Sequence, residues 1–155
     1  MKKTILFIFL AMSLVACRQE VENARVVDKL PVLFPDYIGV TIPSTIAPMN
    51  FSVEGDVEIV DVVARGSKGG EMHVQGDYAD FDIDDWHALV ARNKGGKLTF
   101  TVCTKNDGVW TRYRDFDMYV SNYDMPDYGL TYRRIAPGYE VYSHMGLYER
   151  RLDNF

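Results

Sequence analysis

The strongest constraint on the fold of this 155-residue chain is a two-residue periodicity in its second half. Leu98, Phe100 and Val102 alternate with Thr99, Thr101 and Cys103. Successive side chains of a strand point to opposite faces, so this run has one apolar face and one face of threonines and a cysteine. Asn106-Asp107-Gly108 follows, a strong signal for a tight hairpin turn, and Val109 to Tyr113 reads as the returning strand. A further strand sets Phe116, Met118 and Val120 against Asp117, Tyr119 and Ser121. The expected core therefore contains Phe100, Val102, Phe116, Met118 and Val120.

The first half is consistent with this. Pro31, Pro35, Pro43 and Pro48 exclude helix from the stretch they punctuate and leave extended pieces at Ile38 to Ile42 and Asn50 to Val53. Val57 to Ala64 carries apolar residues on both faces, as a strand buried on both sides does. In Glu71 to Gln75, Met72 and Val74 share one face while His73 and Gln75 share the other. One helix is expected, capped by Asp84, with Asp85 complementing its dipole and Trp86, Leu89 and Val90 on one face. Asn93-Lys94-Gly95-Gly96 supplies the glycine that a helix end favours. About seven short strands and one short helix predict a mainly β fold, an immunoglobulin-like β-sandwich spanning residues 31–122.

The N-terminus carries a different message. Lys2 and Lys3 precede an uncharged apolar run from Thr4 to Ala16. This run is too short to span a bilayer, which takes about 20 residues, but has the length of a signal-peptide core. It ends in Leu14-Val15-Ala16-Cys17, which resembles the lipobox of bacterial lipoproteins. Residues 1–16 are thus expected to be removed, with Cys17 lipidated and becoming the first mature residue. Two or more acyl chains anchor a protein stably where one does not. Arg18 follows where an aspartate would signal retention at the inner membrane, so an outer-membrane location is expected, on the periplasmic face or the cell surface. Residues 17–30 are polar and without periodicity, and read as a tether.

Composition narrows the chemistry. Without Lys2 and Lys3 the formal charge of −5 becomes −7, which argues against nucleic acid and against charge-driven binding to anionic lipid. After lipidation only Cys103 is left, so an internal disulfide is impossible. No histidine lies near it in sequence to make it a nucleophile, and it reads as a structural cysteine. His73, His87 and His144 are scattered, without metal-ligand spacing. Asp80 to Asp85 places acids at alternate positions, but Asp85 and Ala91 stand where a helix–loop–helix calcium site wants glycine and glutamate. There is no phosphate loop and no nucleophile elbow. The chain reads as a non-enzyme without cofactor or metal. Trp86 belongs to the helix's apolar face, whereas Trp110, just after a turn, is the better candidate for an exposed ring on which a sugar could stack. This gives an alternative function, a carbohydrate-binding surface lipoprotein.

Residues 123–155 differ in texture. Pro126, Gly129, Pro137, Gly138 and Gly146 break regular structure, and eight of the ten tyrosines lie between Tyr113 and Tyr148. Disordered tails lack aromatics, so these rings need a surface to cover. Tyrosine and arginine are enriched at interfaces. Tyr128, Tyr132, Arg133, Arg134, Tyr139, Tyr148 and Arg150 are therefore the expected partner-binding residues of an irregular C-terminal strap.

Several strings carry a family resemblance. They are Leu33-Phe34-Pro35-Asp36-Tyr37, Val40-Thr41-Ile42-Pro43 and Ile46-Ala47-Pro48-Met49-Asn50-Phe51, then Trp86 through Leu89 to Asn93-Lys94-Gly95-Gly96. Tyr132-Arg133-x-Ile135-x-Pro137-Gly138-Tyr139-Glu140 and Met145-Gly146-Leu147-Tyr148-x-Arg150-x-Leu152-x-Asn154-Phe155 follow. In order and spacing they resemble Gram-negative lipoproteins often labelled TolB-like or "cytochrome c biosynthesis" proteins. In that family such a region precedes a β-propeller, often with Cys-x-x-Cys-His haem motifs; this sequence stops before either. The resemblance implies the N-terminal module of a longer lipoprotein, an envelope location and an accessory or binding role. The following propeller is the implied protein partner.

Overall fold

A computed structural model describes residues 18–125, 129–133 and 146–154. The fold is mainly β with one short helix. Its organising element is the ten-residue strand β7 (Lys97–Asn106), the alternating run singled out above. One edge of β7 pairs along most of its length with β5 (Ile59–Gly66), which in turn pairs with β6 (Glu71–Gly76) at the sheet's edge. Its other edge is shared. Lys97 to Phe100 pairs with β9 (Phe116–Val120), and Cys103 to Asn106 pairs with β8 (Val109–Arg112). Two short strands from the N-terminal region complete the sheet in parallel: β1 (Arg25–Val26) on β8 and β3 (Thr41–Ile42) on β9. The β7–β8 turn is the expected one. Asp107 and Gly108 both take positive φ, 48° and 77°, which suits a primed turn matched to the strand twist.

Alternation sorts the two faces. Val60, Val62 and Ala64 of β5, Leu98, Phe100 and Val102 of β7, and Phe116, Met118 and Val120 of β9 all point inward and are buried. The layer that covers them is formed by helix α1 (Ile83–Arg92), by the small ribbon of β2 (Leu33–Phe34) with β4 (Ser52–Val53), and by neighbouring loops. The arrangement is sandwich-like, with seven strands in one layer and a ribbon and helix in the other. The strand order does not carry the finer immunoglobulin-like assignment.

Aromatic rings fill the centre. Phe100 stacks on Phe116 with centroids 5.1 Å apart and planes within 5°, and meets Phe51 and Phe81 edge-on at 6.4 and 6.1 Å. Trp86 is fully buried, as its helical position implied, and its indole N–H donates to the Ile46 carbonyl. The helix starts two residues earlier than expected. Asp82, rather than Asp84, is the cap; its carboxylate accepts from the backbone N–H groups of Asp84 and Asp85 at 2.9 and 3.1 Å. Asp84 and Asp85 then lie in the first turn, where the helix dipole favours them. At the other end, buried Asn93 ties α1 to the β5–β6 turn. Its side chain accepts from the Lys68 N–H and donates to the carbonyls of Gly69 and Leu89. Gly66 faces it so closely that an added Cβ would sit 2.0 Å from its amide nitrogen, which explains a glycine in the last position of β5.

The segment read as a tether is instead laid on the sheet. Beyond the β1–β8 pairing, the Val27 N–H donates to the Arg112 carbonyl at 2.9 Å, and the Arg114 N–H to the Lys29 carbonyl at 3.0 Å. The expected strap is not wholly irregular either. It contains an antiparallel ribbon of β10 (Leu130–Arg133) and β11 (Leu147–Arg150).

Phe100 is fully buried among three aromatic rings. Truncating it leaves a cavity that a sheet cannot close, so Phe100→Ala is expected to cost about 3–5 kcal/mol. Equilibrium denaturant unfolding measures this; a loss under about 1 kcal/mol contradicts the placement.

Candidate functional site

Two regions present organised polar and aromatic side chains. In the C-terminal ribbon, Leu130 lies opposite Arg150 and Tyr132 opposite Tyr148, so these four share one face. Arg133, opposite Leu147, lies on the other face with Thr131 and Glu149. The rings of Tyr132 and Tyr148 stack at 5.7 Å and 24°. All eight residues of the ribbon are exposed, Leu147 at 81 %. A lone two-stranded hairpin is marginal in water. This one is held to the body by the segment Ser44 to Ala47. The Ala47 N–H donates to the Leu152 carbonyl at 2.8 Å, the Met125 N–H to the Thr45 hydroxyl at 3.0 Å, and the Ser44 hydroxyl to Asp124. Lys94 pairs with the same Asp124 at 2.6 Å. The hydrogen bonds from Lys94 and Ser44 hold the Asp124 carboxyl below its usual range. This contact is therefore intact above the ordinary carboxylate range and is lost as pH falls through the lowered value.

Between the ribbon and the segment Ile46 to Met49 lies a cleft of about 510 Å³, lined by Ile46, Pro48, Met49, Leu130, Tyr132 and Leu152, with Arg150 and Arg151. Arg151 is engaged by Asp153 at 2.5 Å. The structure thus brings together three of the expected partner-binding residues, Tyr132, Tyr148 and Arg150, and turns Arg133 away from them. Tyr128, Arg134 and Tyr139, and the lipidation residue Cys17, lie outside the described residues.

Trp110 is not the exposed ring expected of it. It is 6 % exposed, with the Lys105 ammonium 5.8 Å from its centroid. Lys105 and Trp110 are paired across β7 and β8, so the pleat places both on the outer face of the sheet. That face is partly roofed by the N-terminal arm, whose Gln19 carbonyl oxygen on the side chain accepts from Lys105 at 2.7 Å.

The same arm covers a polar cluster that sequence reasoning missed. Asp61 of β5 is buried. Its Oδ2 accepts from His73 Nε2 at 2.7 Å and from Gln75 Nε2 at 2.8 Å, both on β6. With Nε2–H given to Asp61, the Nδ1 lone pair of His73 is free to accept from Arg18 Nη1 at 2.8 Å, and Arg18 Nη2 donates to the His73 carbonyl at 2.7 Å. Gln19 and Gln75 exchange two hydrogen bonds, each of 2.8 Å. A cleft of about 700 Å³ runs between arm and sheet, and Cys103 lies in its wall beside its cross-strand partner Asp61. Burial, reinforced by Asp61, pushes the Cys103 thiol up to about 11. A thiol so disposed is protonated at neutral pH and is a poor nucleophile. Both ring nitrogens of His73 are engaged, and the cluster pins the N-terminal arm to β6. The shared face of His73 and Gln75 was visible in the sequence; Arg18, 55 residues away, gave no local sign.

Among the described residues no group of three or more His, Cys, Asp or Glu side chains is placed to hold a metal ion. The acids after β6 have other partners: Asp82 caps α1, and Asp80 accepts from the Asn50 side-chain amide at 2.8 Å. No protein-family model, curated protein or solved structure matches the chain. The ribbon cleft draws its lining from three of the strings singled out in the sequence: Ile46 to Met49, Tyr132, and Arg150 to Asn154.

Two outcomes follow from this geometry. Native Cys103 is expected to resist thiol reagents at pH 8 and to react promptly once the protein is unfolded; rapid labelling of the folded chain contradicts the burial. Among the described residues, none of the buried core lies beyond Val120. A chain ending at Asn122 is thus expected to keep most of its unfolding free energy, and a truncated protein that circular dichroism shows to be unfolded would make the extension part of the core.

Proposed function

We propose that the chain is a lipid-anchored, non-enzymatic interaction module of the Gram-negative cell envelope. It is attached to the outer membrane through acylated Cys17 and engages a protein partner through its C-terminal ribbon. In the family it resembles, that partner is the propeller that follows. The observation that carries the reading is the ribbon itself: a stacked tyrosine pair beside Leu130 and Arg150, exposed, and secured to the body by polar contacts outside the core. Large apolar and aromatic side chains left in water, next to an apolar cleft, are what an interface anchor needs. Anchoring falls to the lipid in this reading, and no helix among the described residues is long and apolar enough to cross a membrane. Burial of Trp110 removes the ring on which the carbohydrate alternative depended.

Site-specific photo-crosslinking in cells tests both halves. With a photoreactive residue at Tyr132 or Tyr148, the native chain is expected to pellet with outer membranes and to give a discrete protein adduct. The same residue at Tyr119, on the outer sheet face, should give none. Cys17→Ala is expected to lose palmitate labelling and membrane fractionation together. Acylation that persists in Cys17→Ala defeats the anchoring half, and absence of adducts from Tyr132 and Tyr148 defeats the docking half.

A further inference from the structure

The position of Arg18 fixes more than the arm. If Cys17 carries the lipid, as the proposed function holds, the lipid is one residue away from a pinned side chain, since neighbouring Cα atoms are about 3.8 Å apart. We infer that the domain lies directly on the bilayer by its β6 edge, with no spacer between lipid and fold, and that its partner there is a layer of phospholipid headgroups.

The argument starts at the edge strand. β6 pairs only with β5, so alternate backbone groups of β6 face away from the sheet. The His73 carbonyl is one of these, and Arg18 binds it while also binding the His73 ring. Gln19 is fixed independently, by its two bonds with Gln75 and a third from Lys105. The chain then crosses the outer face and ends as β1 on the opposite flank, four strand spacings from β6. At 4.7–4.9 Å per spacing, the two flanks are roughly 19 Å apart. The acyl chains therefore leave the domain at one flank and cannot be shared equally between both. Tyr78, just past β6 and 47 % exposed, suits a position at headgroup depth, where an aromatic body and a polar tip are both solvated. Asp77, Asp80 and Asp82 stand nearby, so the surface the edge meets is a zwitterionic one, because anionic lipid would be repelled.

The measurement is headgroup quenching of a fluorophore on the purified, lipidated full chain in vesicles of zwitterionic phospholipid carrying a headgroup spin label. The fluorophore is attached at Asp77→Cys, beside β6, or at Asp28→Cys, beyond β1. Buried Cys103 stays unlabelled, and the Cys17 sulfur is taken by its lipid. Quenching at residue 77 is expected to exceed that at residue 28 several-fold. Inserting a 20-residue Gly/Ser linker between Cys17 and Arg18 leaves every contact of the arm in place but gives the anchor a reach of about 25 Å, more than the flank separation, and should equalise the two sites. Equal quenching of both sites without the linker overturns the inference, as does a several-fold difference that survives the linker. A native chain that stays out of vesicles like Cys17→Ala overturns the anchoring reading itself, and the inference with it.

Discussion

The fold depends on one strand being too long for any single neighbour on its second edge. β7 has ten residues, whereas β8 and β9 have four and five, and the two share that edge between them. Phe100 and Val102 at the junction point inward, and the aromatic cluster is built around Phe100. Because β8 and β9 branch from a common strand, each can recruit a short parallel strand from the N-terminal region, and the stretch from Arg25 to Ile42 is stitched to both branches. Loss of the Phe100 ring would therefore disturb the covering layer and the branch point together.

The two faces of the sheet divide the labour. The inner face is apolar, closed and supplies the cohesion. The outer face is mixed: Asp61, His73 and Gln75 form a polar platform on which Arg18 and Gln19 sit, and Trp110 and Cys103 are shielded beside it. A buried carboxylate is costly unless its hydrogen bonds are met, and Asp61 has two donors at short range. The exposed rings of Tyr132 and Tyr148 lie elsewhere, on the ribbon outside the core.

Legibility in the sequence followed the range of the interactions. The hairpin at Asp107-Gly108, the inward set Phe100, Val102, Phe116, Met118 and Val120, and the core role of Trp86 are fixed by local pleat, turn and helix geometry, and all could be read. The helix cap was misplaced by two residues because Asp82, Asp84 and Asp85 are all acceptable caps; only the backbone turn at Asp82 decides among them. Trp110 was read from its place after a turn, yet it is buried on the outer sheet face beside Lys105, which is itself held by Gln19 some ninety residues earlier. The arm had no periodicity to reveal it, since two residues of strand and a few side-chain contacts suffice to hold it. The pairing of Tyr132 with Tyr148 depends on a register that no local pattern states.

The parallel pairs also set an order of events. Arg25 and Val26 find their partners at Thr111 and Arg112, and Thr41 and Ile42 find theirs at Tyr119 and Val120. Each closure spans close to half the chain, and contacts so distant in sequence are slow to form. The N-terminal residues emerge first from the ribosome, and Gln19 can meet Gln75 once β6 has followed, yet β1 and β3 have no partner strand until Val109 to Val120 is out. The two parallel pairings are thus among the last to close, and the outermost strands of the sheet wait on the arrival of its second half.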